Sequence, residues 1–276
     1  MPPISADLPH SAPLAPPQTV KPPRFRMARV VAALVLRETG ARDSRASLGF
    51  LWNVIEPVVS IVILSLMFSL ISRSPRLGTN FPLYYVTGVV PFSLYMSISK
   101  QVAGSMRFSR NLLGLPSVTV IDLIMARFLL STLTNICVFI AMLFMLNWYY
   151  DLHLHPDMGA VLKGLGMAMA LGLGIGTLNS VLFPASGIYE SVWGLVNRPM
   201  VLLSGVMFHI DDLPEPLFAV LKWNPTAQVV AQMRHAFYPT YDIPWVSPAY
   251  VLLIAAVCFC LGLVGLYRYI FDVLDI

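Results

Sequence analysis

The sequence contains few charged residues. Asp, Glu, Lys and Arg together make up only 12% of the 276 residues, whereas hydrophobic residues make up 57%. One soluble core could not hide that much apolar surface, so lipid is the expected solvent. Because nearly every apolar residue falls in a long uncharged run, the chain is expected to form one membrane domain, without a separate catalytic domain.

Cysteines are scarce, and nucleotide-binding motifs are missing. Cys137, Cys258 and Cys260 lie inside apolar runs and form no disulfide or metal-binding pattern, which argues against redox chemistry. No G-x-x-x-x-G-K-[ST] motif occurs, so the chain has no P-loop and any ATP binds elsewhere. The glycines between residues 164 and 176 lie in an apolar run without a βαβ context, which indicates close helix packing rather than a dinucleotide site.

Catalytic and metal-binding constellations are not recognisable either. The apolar runs contain no paired carboxylates and no nucleophile beside a base, so no catalytic residue is assigned. His153, His155 and Asp157 carry side chains that zinc accepts, but their spacing is not diagnostic and an aqueous loop explains them better. His209 and the two aspartates that follow at 211 and 212 form a similar cluster, to which no chemistry is assigned.

The N-terminal region lacks the apolar core of a signal peptide. Residues 1–23 are rich in Pro, Ser and Ala and are expected to form a disordered cytoplasmic tail. Basic residues then crowd the approach to the first apolar run, namely Lys21, Arg24, Arg26, Arg29, Arg37, Arg42 and Arg45. The positive-inside rule explains them better than a nucleic-acid site, so the tail is placed inside and no nucleic-acid partner is expected.

Membrane spans follow from the distances between charges. A charge at the bilayer centre costs about 2.5 to 3.5 kcal/mol, and a crossing helix needs about 20 apolar residues. The uncharged windows predict an all-α polytopic membrane protein with about six transmembrane helices and both termini in the cytoplasm. The predicted spans lie near residues 51–72, 81–103, 124–148, 161–185, 189–210 and 246–268.

Two further segments are expected to lie along the membrane rather than across it. Residues 24–47 carry apolar residues at helical spacing, which predicts an interfacial amphipathic helix at the start of a transmembrane domain covering 24–276. The outer segment 211–242 is too long for a structureless loop, and it predicts two short re-entrant or interfacial helices broken at Trp223-Asn224-Pro225.

The fifth span is the shortest. Glu190 and Arg198 leave only residues 199–210 uncharged, which corresponds to about 18 Å of helix in a hydrocarbon core of about 30 Å. Arg198 therefore either faces a water-filled path or a partner carboxylate, or it snorkels to the cytoplasmic surface.

Aromatic residues cluster near the ends of the predicted spans. Such rings either form the interfacial belt common to membrane proteins or line a path in which their faces stack on sugars. The clusters are Phe81, Tyr84 and Tyr85, then Trp148, Tyr149 and Tyr150, and finally Tyr238, Tyr241 and Trp245.

Short motifs spread along the chain resemble one transporter family. Leu36-Arg37-Glu38, Gly49-Phe50-Leu51-Trp52 and Glu56-Pro57 resemble the entry segment of ABC-2 type permeases that export capsular polysaccharide in Gram-negative bacteria. The stretch from Asn197-Arg198-Pro199 to Ser204-Gly205-Val206-Met207-Phe208, with Leu213-Pro214 and Trp223-Asn224-Pro225, is similar to that family's fifth span and outer segment. Their order and spacing make the resemblance specific over nearly the whole chain after the tail.

The resemblance implies a transport subunit of the inner membrane and not an enzyme. It implies a homodimer joined to two copies of a separate ATP-binding subunit, which holds ATP and Mg²⁺, whereas this chain holds no cofactor. The cargo would be a lipid-linked polysaccharide, and periplasmic and outer-membrane export proteins would be further partners.

The resemblance also suggests residues for coupling and for the path. Coupling to the ATPase is expected from Arg37 and Glu38 and from the loop that contains Arg107, Arg110, Asn111 and Leu112, although a plain basic loop is the alternative. The candidates for the translocation path are Trp52, Tyr84, Tyr85, Arg198, Phe208 and Trp223.

Other functions remain open at this stage. The same fold could export O-antigen, teichoic acid or a small molecule. An integral-membrane glycan-modifying enzyme would use the region around His153 and would need no ATPase. An ion-coupled carrier would need intramembrane acids at broken helices, and this chain has few.

Overall fold

The computed structural model describes residues 55, 58–67, 70, 75–108, 119–152 and 154–274, with side chains other than those of 107, 108 and 269–274. The predicted tail at 1–23 and the predicted interfacial helix at 24–47 lie outside these residues. Within the described ranges, all regular secondary structure is helical.

The helices are numbered here in chain order. They are α1 Val58–Met67, α2 Phe81–Ala103, α3 Ser105–Phe108, α4 Val120–Tyr150, α5 Met158–Ala185, α6 Gly187–Leu203, α7 Glu215–Leu221, α8 Pro225–Phe237 and α9 Pro248–Leu274, with a 3₁₀ turn at Ile210–Asp212 before α7. By length and composition α2, α4, α5 and α9 can each cross a membrane, which confirms the all-helical class over the described ranges and the presence of several apolar helices. The number of six spans stays a prediction.

The fifth predicted span differs from the helix that forms there. The prediction placed it at residues 189–210, but α6 covers Gly187–Leu203 and the chain leaves helical geometry at Ser204. Gly205 has a φ of +69°, a left-handed backbone conformation that glycine adopts without a steric penalty and that commonly ends a helix. The 17 residues of α6 measure about 26 Å, so Glu190 and Arg198 are part of the helix itself.

Local capping chemistry determines where several helices begin. At α4 the Thr119 hydroxyl accepts from the Asp122 backbone N–H at 3.3 Å, and the Asp122 carboxylate accepts from the Thr119 backbone N–H at 3.0 Å. This reciprocal capping box starts the helix four residues before the predicted span. At α8 the Asn224 side chain accepts from the Thr226 N–H at 3.1 Å, and Pro225 occupies the first turn, where its missing N–H costs nothing. The predicted break at 223–225 is therefore confirmed.

Helix α5 lies at the centre of the bundle because its glycines allow neighbouring helices to approach closely. A Cβ atom at Gly172 would lie 2.9 Å from the Ile98 Cβ atom of α2, and one at Gly176 would lie 2.8 Å from the Val102 Cβ atom. Gly174 faces the backbone of Ala255 in α9 with no room for a side chain. The prediction that the glycines between 164 and 176 serve close helix packing is confirmed at these three, whereas a Cβ atom at Gly166 would meet nothing within 4 Å.

The register of these contacts gives the direction of the helices. Successive glycines of α5 meet successive residues of α2 and of α9, so the three helices run parallel. Helix α4 runs antiparallel to them, since Ser97 in the second half of α2 bonds to Ser131 and Asn135. Pro82 and Val86 at the start of α2 instead line one cavity with Met142 and Leu146 toward the end of α4. One end of the bundle, the Pro248 end, therefore contains the starts of α2, α5 and α9 and the end of α4. Residues 204–247, the end segment, pack there.

Candidate functional site

The end segment is held to the bundle by a buried arginine. Arg234 of α8 is only 2% exposed. Its Nη2 atom donates to the Val206 carbonyl at 2.9 Å, and its Nη1 atom donates to the Phe208 carbonyl at 3.2 Å. The guanidinium lies 4.0 Å from the centroid of the Tyr84 ring of α2. The cation is thus balanced by carbonyl dipoles and a ring face, and no salt bridge to a carboxylate occurs within the described residues.

Two glycines provide the space for α8 beside the bundle. A Cβ atom at Gly88 of α2 would lie 3.2 Å from Arg234 Nη2 and 3.3 Å from the Val206 carbonyl oxygen. At Gly164 of α5, a Cβ atom would lie 3.3 Å from the end of the Met233 side chain. The arginine and the turn that it holds can therefore approach α2 only where a side chain is missing.

A second set of bonds joins the end of α6 to the start of α8. The hydroxyls of Ser204 and Thr226 lie 2.5 Å apart and are buried. The Asn224 amide donates to the Leu203 carbonyl at 3.1 Å while its oxygen caps α8. The Asn224 side chain therefore satisfies a carbonyl at the C-terminus of α6 and caps the N-terminus of α8, so it joins the ends of the two helices.

Asp211 connects the 3₁₀ turn of the end segment to the residues that precede α9. Its carboxylate accepts from the Tyr241 hydroxyl at 2.6 Å and from the Trp245 indole N–H at 2.9 Å, and His209 Nε2 lies 3.2 Å from it. Burial and the hydrogen bond to Asp211 raise the pKa of Tyr241 above its usual value, so the phenol remains a donor at neutral pH. Burial lowers the pKa of His209, which Asp211 partly offsets.

This arrangement is structural rather than metal-binding. The Asp211 oxygens are occupied by protein donors, and no group of three or more metal-ligating side chains occurs in the part of the chain that the structure describes. The neighbouring Asp212 forms an exposed ion pair with Arg76 at 3.2 Å, across to the loop before α2. Both carboxylates therefore tie the end segment to other parts of the chain.

The predicted path residues occupy different environments. Tyr84 and Tyr85 are 3% and 1% exposed, and Tyr84 forms the floor under Arg234. Phe208 is half-buried and contributes its carbonyl to the same guanidinium. Trp223 is 60% exposed and packs edge-to-face on Tyr250, with 5.6 Å between the ring centroids. Tyr84 and Phe208 therefore meet at Arg234, whereas Trp223 lies on the surface.

Arg198 lies on an exposed face of α6. Asn197 is the buried residue of this helix, and its amide donates to the Trp193 carbonyl of α6 itself at 2.9 Å. A stripe of exposed apolar side chains follows the same helix, namely Ile188, Val192, Leu195, Val196, Leu202 and Leu203. Among the residues that the structure describes, none covers Arg198 or this apolar stripe.

The coupling candidates receive no structural test. Arg37, Glu38, Arg110, Asn111 and Leu112 lie outside the described residues, as does the path candidate Trp52, and Arg107 lies in α3 without a described side chain. The sequence reasoning missed Arg234 altogether. The available signal was a basic residue in a short helix of apolar neighbours, which include Val229, Val230 and Met233.

Comparison with known proteins places these features in context. The family described as ABC-2 type transporter matches residues 29–238. The chain is 30% identical over 242 residues to the polysialic acid transport protein KpsM of Escherichia coli, covering 86% of this chain and 92% of that protein. It is 29% identical over 256 residues to the capsule polysaccharide export inner-membrane protein CtrC of Neisseria meningitidis serogroup A, covering 87% and 91%. For the capsule polysaccharide export inner-membrane protein BexB of Haemophilus influenzae, identity is 24% over 240 residues, covering 86% and 89%.

Proposed function

Because the chain belongs to the ABC-2 type transporter family, we propose that it is the membrane subunit of an ATP-driven exporter of lipid-linked capsular polysaccharide. The observation that carries this proposal is its similarity, over most of its length, to three inner-membrane proteins named for polysialic acid transport or capsule polysaccharide export. Since the sequence has no P-loop, ATP and Mg²⁺ belong to a separate ATP-binding subunit, present in two copies.

The proposed topology has six spans with both termini in the cytoplasm. Helix α1 is part of the first span, near 51–72, and α6 is the fifth. The basic residues before residue 45 face the cytoplasm, in keeping with the positive-inside rule. The Pro248 end is then periplasmic, and the end segment covers the bundle on that side with short helices α7 and α8. Residues 1–23 form the tail and 24–276 the transmembrane domain.

The exposed surface of α6 supports a homodimer. A charged side chain facing lipid at mid-membrane costs about 2.5 to 3.5 kcal/mol, so Arg198 is better placed toward a partner or a hydrated path. Pairing of two copies across α6 would cover Leu195 and its apolar neighbours and bring two arginines to the path. Two guanidinium groups suit an acidic polymer because they attract its carboxylates or phosphates.

The remaining candidate residues are assigned to the exit of the path and to its coupling with ATP hydrolysis. Exposed Trp223 offers a ring face on which sugar can stack near the periplasmic exit. The segment from Arg107 to Leu112, with Arg37 and Glu38, receives the motion of the ATP-binding subunits at the opposite end. Periplasmic and outer-membrane export proteins continue the route beyond this membrane.

Purification of the complex tests the proposal. The tagged chain is expressed with the ATP-binding subunit of the same organism, isolated in lipid nanodiscs and assayed for ATP hydrolysis with and without lipid-linked acidic glycan. We expect co-isolation, glycan-stimulated hydrolysis and ATP-dependent glycan uptake into inverted vesicles. A chain that is isolated alone and that modifies glycan without ATP would instead be an integral-membrane enzyme.

The chemistry of the cargo is tested by competition. Neutral O-antigen lipid and teichoic-acid lipid are added to the same vesicle assay. If either lipid stimulates ATP hydrolysis more strongly than acidic capsular glycan does, the chain is still an exporter but its cargo is not capsular polysaccharide.

A further inference from the structure

The clearest feature without a role is Arg234, a cation buried where no carboxylate among the described residues pairs with it. We propose that Arg234 is a positioning residue for export, which holds the backbone turn after α6 against α2 and so sets the direction in which α6 leaves the bundle. This inference rests on the proposed function, because the export path is assigned to α6.

The first argument is the number of elements that meet at one side chain. Arg234 extends from α8, bonds the carbonyls of Val206 and Phe208 in the turn, and lies on the ring of Tyr84 in α2. A guanidinium can do all of this because it is planar, carries several donors in a fixed fork and stacks on aromatic rings. Lysine could supply the charge but only a single point of attachment, and methionine could supply neither bond.

The second argument is that α6 has little other packing against the described part of the chain. Asn197 is its buried residue, and at its first turn the Tyr189 hydroxyl donates to Asn179 of α5 at 3.0 Å. At its far end, Ser204 and Leu203 bond to the start of α8. Over the described ranges, the bonds from α6 to the bundle thus lie at its two ends, and the orientation of the second attachment depends on the turn that Arg234 holds.

The third argument is the closeness of α2. Gly88 leaves only enough space for the Arg234 guanidinium and the Val206 carbonyl, which lie 3.2 and 3.3 Å from a Cβ atom built there. A methyl group at residue 88 would crowd both the guanidinium and the turn, while the arginine keeps its charge and its donors. The packing of the turn against α2 can therefore be changed without removing the cation.

The test uses the complete complex with its ATP-binding subunit. Arg234→Met removes both bonds, Arg234→Lys retains the charge, and Lys163→Met is the control because Lys163 is an exposed cation of α5 at the same end. Gly88→Ala crowds the turn and the guanidinium while retaining the Arg234 side chain, and its control is Gly166→Ala, where a Cβ atom would meet nothing within 4 Å. Each variant is measured for assembly, basal ATP hydrolysis and vesicle uptake of acidic glycan.

A direct readout of position accompanies these assays. After replacement of the three cysteines, spin labels are placed at Leu203 on α6 and Leu162 on α5, with a second pair at Leu162 and Leu253 on α9, all exposed. Distance distributions are recorded by pulsed electron resonance for each variant. A general loss of folding would broaden both pairs, whereas loss of positioning broadens only the pair that includes residue 203.

We expect Arg234→Met to assemble and hydrolyse ATP while uptake falls about tenfold, with Arg234→Lys regaining part of it and Gly88→Ala losing about threefold. The 162–203 distribution should broaden in the same order, and both controls should match the unmodified complex. Normal uptake in Arg234→Met, or reduced uptake with an unchanged 162–203 distance, would overturn the proposal. So would a failure to assemble in Arg234→Met together with normal uptake in Gly88→Ala. Uptake by the unmodified complex tests the proposed function separately.

Discussion

Helices α5 and α6 are consecutive in the chain, yet their environments are opposite. Helix α5 contacts α2, α8 and α9, and its glycines bring these helices to backbone distance. Helix α6 has Asn197 as its buried residue and exposes both Arg198 and an apolar stripe. The first helix is covered by its own chain, whereas the exposed surface of the second is not covered by any of the described residues. This difference separates the scaffold of the transporter from the part assigned to the path.

The largest effect is expected from breaking the scaffold at Gly174. A leucine there has no room against the Ala255 backbone, so α5 and α9 must separate along their length. Gly174→Leu should abolish recovery of the assembled complex from membranes, as judged by gel filtration in detergent. Gly166→Leu, which points into open space, is the control, and equal recovery of the two variants would show that the α5–α9 contact is dispensable.

The next effect concerns the charge on α6. Arg198→Ala should leave assembly unchanged and reduce vesicle uptake of acidic glycan about tenfold, because one charge-assisted contact with the polymer is lost at each subunit. Arg198→Lys should retain most of the uptake. Lys163→Ala removes an exposed cation from α5 and serves as the control. Unchanged uptake in Arg198→Ala would show that Arg198 is not part of the path. It would favour the interpretation that this side chain snorkels to the cytoplasmic surface.

The apolar stripe of α6 can be examined without a loss of function. In a chain without its native cysteines, Leu195→Cys should form a disulfide between two copies, because the stripe is proposed to lie at the homodimer axis. Leu253→Cys on the exposed face of α9 should form no cross-link under the same oxidation. Cross-linking at residue 253 and not at 195, measured by non-reducing electrophoresis, would place the dimer axis at α9.

The smallest effects belong to the carboxylates of the end segment. Tyr241→Phe removes a hydrogen bond to Asp211 and should lower stability by about 1.5 to 3 kcal/mol, since the acceptor is charged and the tyrosine is buried. Arg76→Ala removes an exposed ion pair with Asp212 and should cost less than about 1 kcal/mol. Thermal unfolding of the two variants in the same detergent ranks them, and the reverse order would contradict the structural role given to Asp211.

Particular elements show how far the sequence could be interpreted. The predicted span at 81–103 has the bounds of α2, and the break at 223–225 occurs where Asn224 caps α8. These predictions succeeded because charge-free length and capping residues act locally. The predicted span at 189–210 was too long, since Gly205 and the bonds to Ser204 end α6 at Leu203. The sequence shows apolar residues after Leu203, but it does not show that side chains of α8 bond to this segment and redirect it.

The candidate site divides in the same way. Arg198 was singled out from the sequence because it interrupts an apolar run, and the structure leaves it exposed. Arg234 was not singled out, although it is the more deeply buried arginine. Its burial depends on two carbonyls and one aromatic ring from other segments, and the ring, that of Tyr84, is 150 residues away in sequence.

By itself, the sequence determined the solvent, the helical class, the uncharged lengths of the spans and the family, since all of these depend on residue type and on spacing along the chain. Only the tertiary structure decided which charge is buried, which helix is covered by its own neighbours, and where α6 ends. Those outcomes depend on contacts between α2, α6 and α8, where a missing side chain at Gly88 and a guanidinium from Arg234 meet the same turn. Burial of a cation is favourable only when such partners come together in space.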